Sequence, residues 1–259
     1  LEYKKTWFDK LAGFDTQFRS SREDSDTIIR MNLAGLDMVQ TWNACVYHFT
    51  CVSSRGHDWY KTTDQAKYKN ELQSLADHQE LKKFIRKWGF FGHEPRPVYN
   101  VAFELEIDRH ADFQLLKYIE PFCSKLYLSD KAVVEQLIDQ LEFDTHYYNN
   151  LRWGYPFEYW QKRKHLFNPI DFKSRILYGK PIDEDTVVSF KQSELVNAIT
   201  PEIRSIIENI HVIIDQNEPG RFIFSPMTIE IKRKVDISKS IIKVPNIDKL
   251  LSEEQFLFT

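Results

Sequence analysis

A chain of 259 residues, 42% hydrophobic and 14% aromatic, can bury a substantial core, and at roughly 100–200 residues per domain it makes one large or two small domains. Its 35 Lys plus Arg against 38 Asp plus Glu leave a formal charge of -3, which excludes a general attraction to nucleic acid or anionic membrane, so any basic site has to be local. Three cysteines are too few and odd in number for a disulfide framework, and no apolar run reaches the roughly 20 residues of a membrane span, so the cytoplasm is the expected compartment.

In chain order, a short helix is predicted around Thr6–Leu11, stopped by Gly13, and a second from about Ser25 to Leu33, stopped by Gly35. From Met38 to Cys51, β-branched and aromatic residues alternate with polar ones, the pattern of a half-buried strand. A helix over about Asp64–Trp88 follows. Leu81, Phe84, Ile85 and Trp88 form one apolar stripe and Gly89 stands at the C-cap. Beyond Pro95-Arg96-Pro97 the order is strand Val98–Ile107, helix Asp112–Phe122, strand Lys125–Leu128 and helix Lys131–Leu141, a parallel βαβ pattern. After a long aromatic connection come a strand at Thr186–Phe190 and a helix with Thr200 as N-cap and Pro201 at N1, burying Ile203, Ile206, Ile207 and Ile210. A hairpin of Val212–Ile214 and Arg221–Ile231 around Asn217-Glu218-Pro219-Gly220 is expected to close the unit.

The chemistry concentrates near the start. Trp7 to Phe18 carries Gly13-Phe14-Asp15, followed by Arg22-Glu23-Asp24-Ser25-Asp26, Arg30 and Gly35, and then Val46-Tyr47-His48-Phe49. In order and spacing these residues resemble the acceptor-side half of a family-2 glycosyltransferase catalytic domain. Ala12 and Thr16 depart from the family's usual residues without touching its chemistry. The resemblance implies a GT-A-type fold, a nucleotide-sugar donor, a carbohydrate hydroxyl as acceptor, and Mn or Mg as the divalent ion. It makes Asp24 the general base, Glu23 its supporting acid and His48 the residue near the metal. The physical chemistry agrees, because inverting transfer needs a carboxylate to take the acceptor's proton as the hydroxyl attacks. Two adjacent acids raise each other's proton affinity, while the helix N-terminus lowers it. Without that family pattern, Glu23, Asp24 and Asp26 read as ordinary first-turn acids, and Arg30 as the i, i+4 partner of Asp26.

The family's donor half, with its metal-binding Asp-x-Asp after a strand, has no counterpart. Asp24-Ser25-Asp26 already belongs to the acceptor motif, and Asp183-Glu184-Asp185 precedes a strand instead of following one. With a chain beginning at Leu1, truncation is the expectation, and little transfer from the chain alone. Cys45, His48 and Cys51 do not converge as a zinc set, since a strand puts His48 on the opposite face. Tyr147 to Phe167, with Trp153, Tyr155, Trp160 and Lys162-Arg163-Lys164, reads as a satellite core or as a stacking surface. The overall expectation is a mixed α/β (α+β) chain. It divides into the GT-A-like segment 1–55, a helical connector 56–94, a C-terminal α/β sandwich with a mixed sheet over 95–235, and a tail 236–259. The function expected is a glycosyltransferase fragment. The alternative is a non-catalytic glycan- or protein-binding module. Nucleic-acid binding is disfavoured by charge, and the strand Met38–Cys51 needs a neighbour, from this chain or from a second copy in a homo-oligomer.

Overall fold

A computed structural model of the protein describes residues 11, 13–15, 17–18, 21–37, 39, 78–92, 94–153 (backbone only over 146–153), 170–194 and 200–241. Apart from Val39, the strand expected at Met38–Cys51 with His48 lies outside the described residues, as do the start of the helix expected from Asp64, the aromatic segment except its backbone over 147–153, and the tail beyond 241.

The first described helix, α1, is Glu23–Leu33. It ends where expected: Gly35 takes φ +76°, and Leu36 N–H donates to Met31 O while Gly35 N–H donates to Asn32 O, a Schellman closure. Helix α2 runs over 78–88 and ends at Gly89, φ +75°. No side chain fits at Gly89, because a Cβ there would lie 2.3 Å from the His211 ring. The two sides of α2 serve two cores. Phe84 and Trp88 pack with Phe18, Ile29, Phe90 and Val98, while Ile85 enters the core of the sheet.

The rest is mixed α/β around one sheet: β1 Val101–Glu106, α3 Phe113–Ile119, β2 Lys125–Leu128, α4 Lys131–Trp153, α5 Phe172–Arg175, β3 Ile176–Tyr178, β4 Thr186–Lys191, α6 Pro201–Glu208, α7 Ile210–Gln216, β5 Gly220–Phe224 and β6 Met227–Ile231, with a last short helix α8 at Ser238–Ile241. The strand order is β3-β2-β1-β4-β6-β5. The first four strands are parallel, and β6 is antiparallel to both β4 and β5. Register fixes which side chains share a face: Phe103 lies opposite Leu126 and Val188, and Val188 opposite Ile229. These residues belong to one core with Leu116 and Ile119 of α3, Leu137 of α4, Ile207 of α6 and Ile214 of α7. The apolar stripes of α3 to α7 therefore all meet the same face of the sheet. Caps fix the helix starts, Asp112 accepting from the amides of Gln114 and Leu115, and Thr200 from Ile203.

The opposite face carries Glu104, Lys125, Tyr127, Ser189 and Glu230, as the register requires. Residues 179–185 cross it as a strap on the way from β3 to β4. Within the strap Glu184 accepts from Tyr127 Oη at 2.5 Å and Lys125 Nζ at 3.1 Å, and Lys180 Nζ lies 3.8 Å from Glu104.

Two expectations are corrected: the helix expected to end at Leu141 runs on to Trp153, and the closing hairpin is placed differently. Val212–Ile214 is helical, within α7, and the hairpin joins β5 to β6 across Ser225-Pro226. Isoleucines 203, 207, 210 and 214 form a single buried helical stripe interrupted only at Asn209, so packing overrides the β-branched composition that reads as strand. The strand β3 was not expected. With three residues it is too short to carry a periodic signal.

Candidate functional site

The segment bearing the acidic motif is assembled around Asp26. Its carboxylate, fully buried, accepts from Trp88 Nε1 at 2.9 Å and Arg30 Nε at 2.9 Å, and lies 2.6 Å from Lys87 Nζ. Arg30, 4% exposed, extends past this pair: Nη1 donates to Leu11 O at 2.5 Å and Nη2 to Gly13 O at 2.7 Å. A solvent-facing i, i+4 pair is worth a few tenths of a kcal/mol, whereas this one is buried and holds the Gly13-Phe14-Asp15 loop against α1. Lys87 closes the ring by donating to Asp15 Oδ2 at 2.6 Å. Burial pushes the Asp15 carboxyl up, but Lys87 and the two bonds from Gln17 outweigh it and hold it below the usual carboxylate range. Farther along, Glu80, also fully buried, accepts from the Ser21 amide at 2.7 Å.

Two acids remain at the head of α1. Asp24 is exposed; its Oδ1 accepts from the Ser25 amide at 2.7 Å and, more weakly, the Ser25 hydroxyl at 3.4 Å. Glu23 is half-buried, and its Oε2 lies out of solvent with no hydrogen-bond partner. Immediately before them Arg22 adopts φ +73°, the left-handed region that costs a residue with a side chain on the order of 1 kcal/mol. Its guanidinium sits 5.6 Å from the centre of the Phe84 ring. The fold thus separates the motif's acids, using Asp15 and Asp26 to tie loop to helices while Asp24 is exposed, its Oδ2 unbonded among the described residues. The sequence pairs Asp26 with Arg30 by i, i+4 spacing but does not show that the pair is buried.

His48 lies outside the described residues, and among the described residues no three His, Cys, Asp or Glu side chains converge as a set that could hold a metal ion. Asp183-Glu184-Asp185 is otherwise engaged: Glu184 is held by Tyr127 and Lys125, and Asp185 by Arg233. Cys123 is a free thiol, fully buried, and burial pushes it up to about 12, so it is not poised as a nucleophile. Among the described residues no helix is long and apolar enough to cross a membrane.

A second place was not singled out in the sequence. The loop from β1 to α3 carries Arg109 and His110 over a cleft of about 410 Å³. The available signal was position alone: a polar loop leaving the carboxyl end of a buried parallel strand is where α/β folds bind ligands.

Set beside protein-family models, curated proteins and solved structures, the chain matches none.

Proposed function

We propose that residues 11–37, docked on α2, form the acceptor side of an inverting glycosyltransferase centre in which Asp24 takes the proton from the attacking carbohydrate hydroxyl. The observation that carries this reading is the division of labour among the acids. Asp26 and Asp15 are consumed by Arg30, Lys87 and Trp88, whereas Asp24 stands exposed at the helix start. A general base has to reach its substrate's proton within about 3 Å or through one water, and an exposed carboxylate can do so. The partners in this reading are a nucleotide-sugar donor and a carbohydrate acceptor, with Mn or Mg at the donor's diphosphate, in the cytoplasm.

In this reading the donor's diphosphate is not held at the described helix starts that follow β1 and β2. Among the described residues the helix starts at the carboxyl ends of β1 and β2 are already occupied, Asp112 accepting from the amides of Gln114 and Leu115 and Asp130 from those of Ala132 and Val133. Those amides are the groups that would cradle a diphosphate. The same observation supports the second reading, a non-catalytic module that binds a glycan or a protein.

The test is a transfer assay on the natural protein containing these residues, with uridine, guanosine and thymidine diphosphate sugars, with and without Mn. Asp24→Asn is expected to lower transfer by about 10²–10⁴-fold while leaving the melting temperature unchanged. An Asp24→Asn protein as active as the parent removes Asp24 from the chemistry. Absence of transfer with every donor, in a protein that still binds oligosaccharide, decides for the binding module.

A further inference from the structure

The loop Ile107 to Asp112 is pinned on both flanks. Ile107 N–H donates to Ser129 Oγ at the end of β2, 2.7 Å. Asp108 accepts from the backbone amide of Ser193, 3.0 Å, and from its hydroxyl. Gln192, fully buried just beyond β4, accepts from the Asp112 amide at 3.0 Å through Oε1 and donates through Nε2 to His110 O at 2.7 Å. A buried amide that satisfies two backbone groups of a neighbouring loop fixes that loop's shape. Among the described residues, the side chains of Arg109 and His110, at the tip of the loop, are exposed and make no hydrogen bond or ion pair, while those of Asp108 and Asp112 are tied. Arg109 and His110 line the cleft of about 410 Å³ together with Phe113, Asp130, Val133 and Gln136.

The chemistry of that lining is selective. Arginine presents a planar fork that matches a carboxylate or a phosphate with two parallel bonds, and the imidazole beside it supplies a further donor. Gln136 offers both amide donor and acceptor, and Asp130 keeps its Oδ2 available while Oδ1 caps α4, so hydroxyl groups are the natural complement on that side. Phe113 and Val133 give an apolar floor for the C–H face of a ring. A polyphosphate is disfavoured, since Asp130 repels the second and third charges and both adjacent helix starts are self-capped.

We propose that this cleft binds a sugar-sized polyhydroxylated anion, a sugar monophosphate or a sugar acid, with its charged group on Arg109 and His110 and its hydroxyls on Gln136 and Asp130. The site is independent of Asp24.

The test is an amide-detected NMR titration of the whole 259-residue chain with glucose 6-phosphate, glucuronate, inorganic phosphate and glucose. Saturable shifts confined to residues 109–113 and the Gln136 side-chain amide are expected with glucose 6-phosphate, glucuronate or both, and the pair tells phosphate from carboxylate. Binding should be at least about tenfold tighter than that of glucose and weaken in high salt. Arg109→Ala should abolish it without moving the melting temperature, and Gln136→Ala should weaken the sugar anions while leaving inorganic phosphate unaffected. The proposal is overturned by the absence of saturable shifts at the loop, by inorganic phosphate binding as tightly as the sugar anions, or by undiminished binding to Arg109→Ala.

Discussion

Asp24 and Asp26 sit two positions apart in the same turn of α1 and differ in what surrounds them. Replacing Asp26 by Asn removes the negative charge that faces Arg30 and Lys87. Breaking a buried pair strands its partner, so Asp26→Asn is expected to lower stability by about 3 kcal/mol or more in urea unfolding, whereas Asp24→Asn should stay within about 0.5 kcal/mol, as exposed substitutions do. His211 shows the same dependence on surroundings. Its Nδ1 accepts the Tyr99 amide at 3.0 Å, and burial lowers its pKa from 6.5 to about 4. The unfolded chain takes up this proton below about pH 6.5 and the fold does not, so stability falls as pH drops from 6.5 toward 4. The carbon and proton shifts of the His211 ring should therefore hold their neutral values down to about pH 4; a midpoint near 6.5 contradicts the buried geometry. Neither environment could be read from residue type, because Trp88, Lys87 and Tyr99 reach these groups from distant parts of the chain.

At the scale of elements, helix ends were the most legible features. Gly35, Gly89 and Thr200 all act where capping chemistry places them, because a cap depends on its own few neighbours. The stretch after α6 was misread for the complementary reason: β-branched isoleucines fit a strand locally, and only the common core shows them as one helical stripe. Between elements, Glu120, just after α3, accepts from Arg86 of α2 and Arg175 of α5. Burial raises its pKa, but the two guanidinium groups outweigh that and hold the carboxyl at about 2. Its contribution is complete above the ordinary value near 4.5 and is lost as pH falls through 2. Glu120→Gln leaves two guanidinium groups facing a neutral amide, and a loss of about 3–5 kcal/mol is expected. Urea unfolding monitored by tryptophan fluorescence measures it, and a loss under 1 kcal/mol shows that α2 is held by its other contacts without this pair.

At the scale of the molecule, the sequence carried the class of fold, a mixed α/β unit with parallel strands, but not the placement of every sheet-packing helix from α3 to α7 on one face. That placement emerges only once β1, β2, β4 and β6 are in register, which no local pattern encodes. Mostly parallel sheets ordinarily bury both faces; here the second face carries charge and the strap 179–185. The strap's length now matters. From Tyr178, level with Leu128, to Thr186, level with Val101, the chain crosses three strand spacings, about 14 Å, and returns about 13 Å along the sheet, a diagonal of roughly 19 Å. Eight Cα steps reach about 27 Å at full stretch, and the path must also rise over Tyr127. Tolerance to length change is accordingly one-sided. Two residues inserted after Gly179 add only tenths of a kcal/mol in loop entropy, so the melting temperature should hardly move. Deleting Pro181 and Ile182 leaves roughly 20 Å, which draws β4 out of step with β1. Homologous chains should then vary here by gaining residues and not by losing them.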